Sequence, residues 1–536
     1  MNGGTLLRRL AASLLAIVLS VPALPAARAL AYARANVAAG GPARPGAPGG
    51  LGSGASVVVF AAHPDDETLG AGGLIHAAVA AGAHVTIVVL TNGDGYLGGV
   101  DVRFRTLFST PGRFIQYGRT RQQETLAAAA QLGVPASDVL FLGYPDRGLA
   151  TLWGSHWDCR HPYTSPYTRR SHGPYALAYR PGAVYCGEGL LADVTAILNH
   201  AKPSLVVVHH PADTHPDHWA AAAFVTLALE QAALAGDGWP RRVRTYHYLV
   251  HDGAGWPIPR GYAPEQPLTP PAGLAVRPHW VAAPLGPDDE DAKRRALGAY
   301  RSQLALSRAY LFSFVRRNEL YDLCPGVSVT PLPGADPPLA RPERWDALPA
   351  LIGPSGAGSL LAAAQGGAVL DGVAVGRTSD RLLVAVRLRR PAQREVGYRV
   401  ELRLFNPDGH AARLNVWFGV PGSLRAERRG PADLPLPEGS AARSIGRRIH
   451  ISLPLAALGT PVAAYVRVVT FGAFHTVVDR TPWTLVRIGP PAADGAARPI
   501  GLARLEPVMY ARMSAPRRTL LVAGHERGGG DVRPTP

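Results

Sequence analysis

Two clusters of histidine and acidic residues stand out in the first half of the chain. The first reads His63-Pro64-Asp65-Asp66-Glu67 and directly follows the apolar run Val57–Ala61. The second reads Asp213-Thr214-His215-Pro216-Asp217-His218 and follows the apolar run Leu205–His209. Neutral imidazoles and carboxylates suit a zinc ion, which in catalytic sites takes about three protein ligands and keeps a position for water. Zinc lowers the pKa of that water to about 7, so the clusters predict hydrolysis at neutral pH.

Either cluster alone has a simpler interpretation. Asp66 could cap a helix that begins near Thr68, and Asp217 could cap one that begins at Trp219. Short motifs often match by chance. Two clusters in matching contexts, each at the end of an apolar strand and before a helix, favour the metal site.

The elements that must position these clusters alternate between strands and helices. The predicted strands are Ser56–Ala62, Val85–Leu90, Val139–Leu142, Leu205–His209 and Tyr246–Val250. The predicted helices are Leu69–Ala81, Arg119–Leu132, Leu190–His200, Trp219–Leu234 and Asp288–Leu304. Strands that are apolar throughout indicate a mostly parallel sheet covered by helices on both faces, the Rossmann-like α/β class. Ligands bind beyond the carboxyl ends of such strands, which is where both clusters lie.

The length of 536 residues favours more than one domain. Past residue 365 the helical pattern gives way to short alternating strands between Gly and Pro turns, which predicts a β-sandwich. The predicted organisation is a signal peptide (1–29), a flexible leader (30–54), the α/β domain (55–324), a Pro-rich linker (325–364), the sandwich (365–490) and a partly disordered tail (491–536).

The paired motifs His63–Glu67 and His215–His218 closely resemble those of the PIG-L-like (LmbE-type) zinc-dependent N-acetylglucosamine deacetylases. The resemblance extends through Thr91–Asp94, the helix that contains Arg121, and the stretch Leu142–Asp146, and covers about residues 56–310. The fold of that family is Rossmann-like, in agreement with the element pattern.

The resemblance implies a role for each matching residue. His63, Asp66 and His218 would hold the zinc ion, with Fe²⁺ or Co²⁺ as alternatives because histidine and carboxylate ligands accept several divalent metals. Asp65 would be the general base that takes a proton from water. His215 would stabilise the developing oxyanion or protonate the departing amine.

Four further residues receive supporting or substrate roles from the resemblance. Asp217 would orient His215 or a ligand histidine, and Asp213 would support the loop of the second motif. Arg121 would contact substrate, with an i, i+3 ion pair to Glu124 as the alternative. Asp146 would lie near sugar hydroxyls, with a plain turn residue as the alternative.

The first residues predict export. Arg8 and Arg9 precede the apolar run Leu10–Val21, and Ala27-Arg28-Ala29 offers the small residues of a cleavage site. A secreted or cell-surface protein is therefore expected, with an uncleaved membrane anchor as the alternative and no membrane span beyond this region. In an oxidising compartment, Cys159 and Cys186 could form a disulfide within an irregular loop, although sequence leaves the connectivity open.

The formal charge of +16 does not predict specific nucleic-acid binding, because the basic residues are scattered and are not interleaved with aromatic ones. Weak attraction to anionic cell-surface polymers is the alternative. Aromatic residues of segment 147–188 indicate a substrate groove, a lid or an interface. In the sandwich, Trp417, Phe418 and Trp483 could present rings to a polysaccharide or lie in the core.

The predicted function is a secreted, zinc-dependent hydrolase that removes an N-acetyl group from an amino sugar in a glycan, glycolipid or glycoside. One alternative is a zinc amidase or esterase acting on a non-sugar acyl group. Another is a non-catalytic carbohydrate-binding surface protein. The complete set His63, Asp65, Asp66 and His218 argues against the last.

Overall fold

The computed structural model describes residues 44–45, 51–106, 108–252, 255–271, 274, 279–324, 326–332, 339, 348, 366–407, 411–428, 433–472 and 475–489. The predicted signal peptide and tail lie outside the described residues, as do most of the predicted leader and linker.

The α/β domain is built on a mixed sheet. Its strands are β1 (Ser56–Ala61), β2 (His84–Thr91), β3 (Val139–Tyr144), β4 (Leu205–His209), β5 (Arg244–Tyr248), β6 (Trp280–Pro284) and β7 (Asn318–Asp322). They lie side by side in the order β3-β2-β1-β4-β5-β7-β6, and the short strand Arg44–Pro45 pairs with β6. β7 runs antiparallel to both neighbours, while the pairs among β1 to β5 are parallel.

The order of the strands creates a crevice between β1 and β4. The chain leaves β1 towards β2 on one side, and it returns to the other side of β1 at β4. Such a reversal opens the crevice at the carboxyl ends where α/β proteins bind ligands. Both His/Asp clusters follow the two strands that border this crevice.

Helices cover the sheet. They are α1 (Asp66–Ala80), α2 (Leu97–Phe104), α3 (Pro111–Gln131), α4 (Leu149–Trp153), α5 (Gly187–Ala201), α6 (Pro216–Leu234), α7 (Pro287–Ala299) and α8 (Arg301–Phe312). α1 and α6 each begin at a motif, so backbone N–H groups of two helix starts lie near the crevice. The prediction for Asp288–Leu304 was wrong in one respect, because the segment divides at Tyr300 into α7 and α8.

The C-terminal region forms two facing antiparallel sheets, the predicted β-sandwich. One sheet contains β8 (Leu370–Arg377), β9 (Arg381–Leu388), β13 (Ala441–Ile445) and β14 (Arg448–Pro454). The other contains β10 (Gly397–Phe405), β11 (Ala411–Gly419), β12 (Ser423–Ala426), β15 (Ala463–Phe471), β16 (Val477–Arg480) and β17 (Thr484–Arg487). The inward-facing aliphatic side chains form their own core.

Two short strands correct the predicted linker. Val327–Ser328 pairs with β17, and Thr330–Pro331 pairs with β8. The beginning of segment 325–364 therefore belongs to the sandwich. Backbone pairing with an existing sheet edge does not need the side-chain alternation on which the prediction depended.

The sandwich packs on the α/β domain through aromatic rings and arginines. Trp153 of α4 meets Trp483 edge-on, with ring centroids 5.6 Å apart, in a cluster that also contains Phe224. Arg403 of β10 lies over both indoles and donates to the carbonyl oxygen of Trp153 at 3.2 Å. Trp483 is therefore a buried interface residue, which agrees with the interpretation as a core aromatic and not with the alternative that its ring faces a polysaccharide.

Within the described part of the chain, no helix is both long enough and apolar enough to cross a membrane.

Candidate metal centre

The first motif forms a tight turn at the end of β1. Asp65 precedes α1 with φ 105° and ψ −26°, a conformation that costs a non-glycine residue free energy. The turn places the side chains of the two consecutive aspartates in different directions. Asp66 Oδ2 accepts the backbone N–H of His63 at 2.8 Å, whereas the Asp65 carboxylate faces Arg121.

Three candidate ligand atoms from the two motifs come together. His63 Nδ1 lies 3.1 Å from Asp66 Oδ2 and 3.1 Å from His218 Nε2. His218 Nε2 lies 3.3 Å from Asp66 Oδ2. Atoms that bind one zinc ion tetrahedrally at about 2.0–2.1 Å are about 3.3 Å apart, so this triangle fits a divalent cation. All three residues are buried.

Carboxylates hold the far side of each imidazole. His218 Nδ1 lies 3.1 Å from Asp213 Oδ2, and His63 Nε2 lies 3.1 Å from Asp146 Oδ1. A proton on these outer nitrogens leaves His218 Nε2 and His63 Nδ1 as lone-pair donors toward the centre of the triangle. Such carboxylate–imidazole pairs are the usual support of metal-binding histidines.

The electrostatics of the cluster favour a positive charge at its centre. Burial alone would lower the pKa of His218, but Asp66 and Asp213 outweigh it and raise that pKa to about 9. Burial likewise opposes protonation of His63, yet Asp146, Asp217 and Asp66 raise its pKa well above the ordinary value. The same surroundings that favour a proton on these rings favour a metal cation.

His209, at the end of β4, stands beside the triangle without completing it. Its Nε2 accepts the backbone N–H of Ala62 at 2.9 Å and lies 3.1 Å from the Tyr248 hydroxyl. This nitrogen therefore holds β4 and β5 against β1, although it is also 3.3 Å from Asp66 Oδ2.

Asp65 is a carboxylate beside the candidate ligands. Burial raises the pKa of Asp65 to about 8, against the opposing effect of Arg121. Arg121 Nη2 lies 3.2 Å from Asp65 Oδ2 and also donates to the Pro64 carbonyl, while Nη1 donates to the Gly93 carbonyl at 3.3 Å. One guanidinium thus joins the strained turn to the loop after β2.

Arg121 does not form the ion pair with Glu124 that was the alternative to a substrate contact. The side chain is buried against the first motif, and Glu124 instead accepts the backbone N–H and hydroxyl of Ser302. On the long helix α3, the side chain of Arg121 faces the crevice, whereas the side chain of Glu124 faces α8. Arg121 therefore positions Asp65, and its contact with substrate stays a prediction.

Asp146 contacts the first motif, and its predicted place near sugar hydroxyls stays a prediction. One oxygen contacts His63 Nε2, and the other accepts the backbone N–H of Gly95 at 2.7 Å. Burial would raise the pKa of Asp146, but His63 outweighs it and the pKa falls below the ordinary range. The residue holds a candidate ligand, a role that only the tertiary contact reveals.

His215 caps α6 from inside the crevice. Its Nδ1 accepts the backbone N–H of Asp217 at 3.2 Å, which leaves Nε2 with the proton. Its ring meets that of His63 edge-on at 4.7 Å. Burial, together with His218 and His63, lowers the pKa of His215 to about 2, so the ring is a neutral hydrogen-bond donor.

Asp213 and Asp217 brace the surrounding loops. Asp213 accepts the backbone N–H groups of His215, Val250 and His251 at 2.9–3.0 Å. Asp217 accepts the N–H groups of Arg147 and Leu149, and one of its oxygens lies 3.4 Å from His63 Nε2. Asp217 contacts His215 through its backbone, whereas its carboxylate contacts the candidate ligand His63, which is the second of the two predicted orienting contacts.

The aromatic segment after β3 packs mainly inward. Trp153, Trp157, Tyr175 and Tyr185 are buried, so they are interface and core residues. Tyr163 and Tyr167 stay half-buried; a Cβ on Gly148 would meet Tyr163, and one on Gly95 would meet Tyr167. The disulfide between Cys159 and Cys186 is present, as predicted, with the Cα atoms 4.9 Å apart.

His251 and Tyr310 are site residues that the sequence interpretation missed. The His251 ring lies 5.0 Å from that of His218 and stacks on Tyr310, whose hydroxyl contacts Nδ1 at 2.9 Å. His251 comes three residues after β5, so the rule that placed both motifs at strand ends could have found it. Tyr310 lies on α8, and no local pattern marks it.

Comparison with known proteins finds similarity in the part of the chain that contains both motifs. Residues 58–229 match the family model described as PIG-L: GlcNAc-PI de-N-acetylase. The 1D-myo-inositol 2-acetamido-2-deoxy-alpha-D-glucopyranoside deacetylase of Tsukamurella paurometabola is 33% identical over 185 residues, which are 33% of this chain and 55% of that protein. The protein of the same name from Kribbella flavida is 31% identical over 205 residues, which are 38% of this chain and 58% of that protein.

The chain therefore spans about half the length of the curated relatives it matches. Among solved structures, a deacetylase from the biosynthesis pathway of teicoplanin aligns with 50% of this chain and 96% of its own. The sequence identity is 15%, and the TM-score is 0.32.

Proposed function

We propose that this chain, whose residues 58–229 are a PIG-L domain, is a metal-dependent hydrolase that removes an N-acetyl group from an amino sugar. The observation that carries the proposal is the triangle of His63 Nδ1, Asp66 Oδ2 and His218 Nε2, with edges of 3.1–3.3 Å. Zinc is the metal we favour, because a buried set of two imidazoles and one carboxylate is typical of catalytic zinc. When bound, the ion would polarise the scissile carbonyl and lower the pKa of water.

Asp65 is the proposed general base. Its carboxylate lies on the same turn as Asp66 but does not share the triangle, because it is held by Arg121 at 3.2 Å. Burial raises the pKa of Asp65, which makes its carboxylate a stronger base, and a bound cation would lower that pKa towards neutral pH. Asp65 can then take a proton from the attacking water and pass it to the departing amine. The reaction would consume one water and release acetate and a free amino sugar.

His215 is the proposed oxyanion donor. Because its Nδ1 accepts the N–H of Asp217, its Nε2–H is free to donate to the carbonyl oxygen as negative charge develops there. A neutral donor positioned before the reaction needs no reorganisation in the transition state. His251, stacked on Tyr310, supports the same wall of the crevice.

Acetate release from metal-loaded protein tests the proposal. The substrates are N-acetylglucosamine, N-acetylglucosaminyl-inositol, chitooligosaccharides and peptidoglycan fragments. Asp65→Asn should retain stoichiometric metal but lower kcat by about 10²–10⁴-fold, the usual contribution of a general acid or base. Asp138→Asn, the same change at a residue outside the crevice, is the matched control. His218→Ala should lower metal affinity.

Two results would overturn this assignment. Loss of metal from Asp65→Asn would mean that the two aspartates have exchanged roles. Purified protein that binds no divalent metal, or that hydrolyses only non-sugar acyl compounds, would contradict the proposed reaction.

We infer that the protein acts in an oxidising compartment, as a secreted or cell-surface enzyme. The disulfide Cys159–Cys186 supports this, because such bonds are rare in reducing cytosol. Determination of the N-terminal residue of the exported protein checks the predicted cleavage near Ala29, and protein found only in the cytosol with free thiols would contradict it.

A further inference from the structure

A groove opens on the outer face of the sandwich sheet that contains β10, β11 and β12. It has a volume of about 650 Å³. Its walls include Trp417, Phe471, Leu424, Arg394, Arg425 and His475. We call it the Trp417 groove. Of the three aromatic residues predicted to bind polysaccharide, Trp417 alone lines it with a half-buried ring, whereas the Phe418 ring is buried in the core and Trp483 lies in the interface.

The strand register fixes the Trp417 ring in place. Trp417 pairs with Arg399 of β10 on one side and with Arg425 of β12 on the other. The two guanidinium carbons lie 5.1 and 5.0 Å from the ring centroid, and the Phe471 ring lies 4.9 Å away. The indole Nε1 donates to Glu427 at 3.2 Å. The ring is therefore already ordered, which lowers the entropy cost of binding, and a ligand reaches it on the side of Arg425, because ion pairs hold Arg399 over it.

Two exposed arginines, Arg394 and Arg425, line the groove against one exposed carboxylate, Glu395, so the groove carries excess positive charge. Arg399 forms ion pairs with Glu401 at 2.5 Å and Glu427 at 3.3 Å, so its charge is neutralised within the protein. Arg394 and Arg425 are exposed, and neither has a carboxylate within ion-pair distance among the described residues. Planar guanidinium groups bind carboxylates and phosphates through two parallel hydrogen bonds. Aromatic rings beside such groups fit a ring-shaped anion, such as an acidic sugar.

One row of paired residues leads from the groove to the second metal motif. Trp417 pairs with Arg399, Arg399 with Val469, and Val469 with Arg480. Directly paired residues point to the same face, and three strand spacings of about 4.8 Å span about 14 Å. Arg480 Nη2 donates to the carbonyl oxygen of Thr214 at 3.3 Å, next to His215. Val469 in the middle of this row is buried, so the row gives the direction and distance from the groove to the second motif and is not itself an open surface.

We propose that the Trp417 groove binds an acidic glycan, with a sugar ring against Trp417 and its carboxylate on Arg425 and Arg394. The groove is separate from the metal centre and takes its ligand whether or not the deacetylase proposal holds. That the same glycan chain extends to the crevice as substrate rests on the proposed function. Single-stranded nucleic acid also stacks on aromatic rings beside arginines, but the nearby amino-sugar site favours a glycan.

The test measures binding of the full chain to a hexamer of galacturonic acid by calorimetry at low salt. This probe has no acyl group, so hydrolysis at the metal centre does not affect the reading. The fully methyl-esterified hexamer has the same rings without charge, and a thymidine decamer represents nucleic acid. Trp417→Ala and Arg425→Ala should each weaken binding of the acid hexamer at least tenfold, the usual loss at a central contact.

Arg443→Ala is the matched control, because it removes the same charge from an exposed position on β13 in the other sheet. Its affinity for the hexamer should stay within about twofold of wild type, since single exposed charges contribute little. Equal binding of the acid and its methyl ester, equal losses in Arg425→Ala and Arg443→Ala, or tighter binding of the thymidine decamer would each overturn the proposal. Because acetate release is not measured, failure here leaves the proposed deacetylase intact.

Discussion

Replacing Lys293 with methionine should destabilise the α/β domain by about 3–5 kcal/mol, the cost of breaking a buried ion pair. Lys293 Nζ lies 2.7 Å from Glu319 Oε1 and donates to the Leu69 carbonyl at 2.9 Å. Glu319 in turn accepts the backbone N–H groups of Gly73 and Leu74 at 2.8 and 2.9 Å. The pair is thus built into α1, the helix that begins at Asp66.

The structure places the expected loss near the lower end of that range. Both side chains are fully buried, so removal of the ammonium leaves a carboxylate without a counter-charge. The remaining donors, including the Tyr321 hydroxyl at 2.8 Å, still stabilise the carboxylate and reduce the loss. Water is a poor substitute for Nζ, because the Lys293 stem packs tightly on Gly72, where an added Cβ would lie 3.1 Å from Cγ. We therefore expect about 3 kcal/mol.

Urea unfolding followed by far-ultraviolet circular dichroism is the assay, because in the described residues α-helices occur in the α/β domain and not in the sandwich. Lys202→Met is the matched control: Lys202 is the other lysine of the chain and is exposed. It should change the free energy of unfolding by less than about 0.5 kcal/mol. Adding Glu319→Gln to Lys293→Met removes the uncompensated charge, and about 1–2 kcal/mol should be regained as coupling.

A loss below about 1 kcal/mol in Lys293→Met, or an equal loss in Lys202→Met, would refute the reasoning. So would further destabilisation on adding Glu319→Gln, because the hydrogen bonds to α1 and not the charge would then dominate.

Three other variants test the positioning of the site and its supports. Arg121→Lys should lower kcat on the order of 10- to 10²-fold with little change in KM, because a single ammonium cannot hold both the Asp65 turn and the loop after β2. The control is Arg119→Lys, on the exposed face of α3. Trp153→Ala should cost about 3–5 kcal/mol in unfolding free energy by opening a cavity between the domains, and an unchanged urea midpoint would contradict this. Burial would raise the pKa of Asp322, but hydrogen bonds led by that of His210 lower it to about 2. Because the pKa is depressed in the folded state, the wild type should be more stable to unfolding than Asp322→Asn by about 2–3 kcal/mol near pH 6. This difference should shrink as the pH falls from about 4 to 2, and a constant difference would argue against the role of Asp322.

The location of the candidate metal centre could be predicted from sequence because two signals, the apolar strands and the motifs that follow them, agree. Apolar runs such as Leu205–His209 are recognisable as buried strands of a parallel sheet, and motif residues follow them directly. In such a sheet, topology alone brings the carboxyl ends of neighbouring strands together. The strand order then sets β1 beside β4, and the triangle of His63, Asp66 and His218 follows from that order.

The partners of Arg121 and Asp146 could not be predicted, because they depend on where distant elements pack. An arginine on a helix has an acidic neighbour three residues away in sequence, and the local ion pair is the obvious expectation. The tertiary fold instead supplies Asp65, whose desolvated carboxylate gains more from a guanidinium than the partly buried Glu124 would, because Ser302 already donates to Glu124. A buried charge needs a partner of opposite sign, and the tertiary fold can supply that partner from a distant element. Local sequence spacing reveals only pairs between neighbouring residues on a helix surface.

The strand β7 was missed for the same reason. Its sequence, Asn318-Glu319-Leu320-Tyr321-Asp322, has too many polar residues for an internal strand, yet the whole strand is buried. Each polar side chain has a partner from another element: Lys293 for Glu319, His210 for Asp322, and the backbone of Leu268 for Asn318. The apolar pattern of a sequence reveals strands whose apolar side chains face the core. It does not reveal a strand whose polar side chains are buried because each has a hydrogen-bond or ion-pair partner.

The net charge of the chain likewise overstates how basic its surface is. All but two of the 55 basic residues are arginine, and several of them lie between the domains. Arg403 stacks on Trp153 and Trp483, and Arg467 lies over Trp219, the residue after His218, with its guanidinium 4.6 Å from the ring. A planar, weakly hydrated guanidinium can be buried against indoles at a cost that a compact ammonium cannot match. The arginine-rich composition therefore serves the contact between the sandwich and the helix that carries the second motif, and the sandwich becomes part of what holds the metal centre in shape.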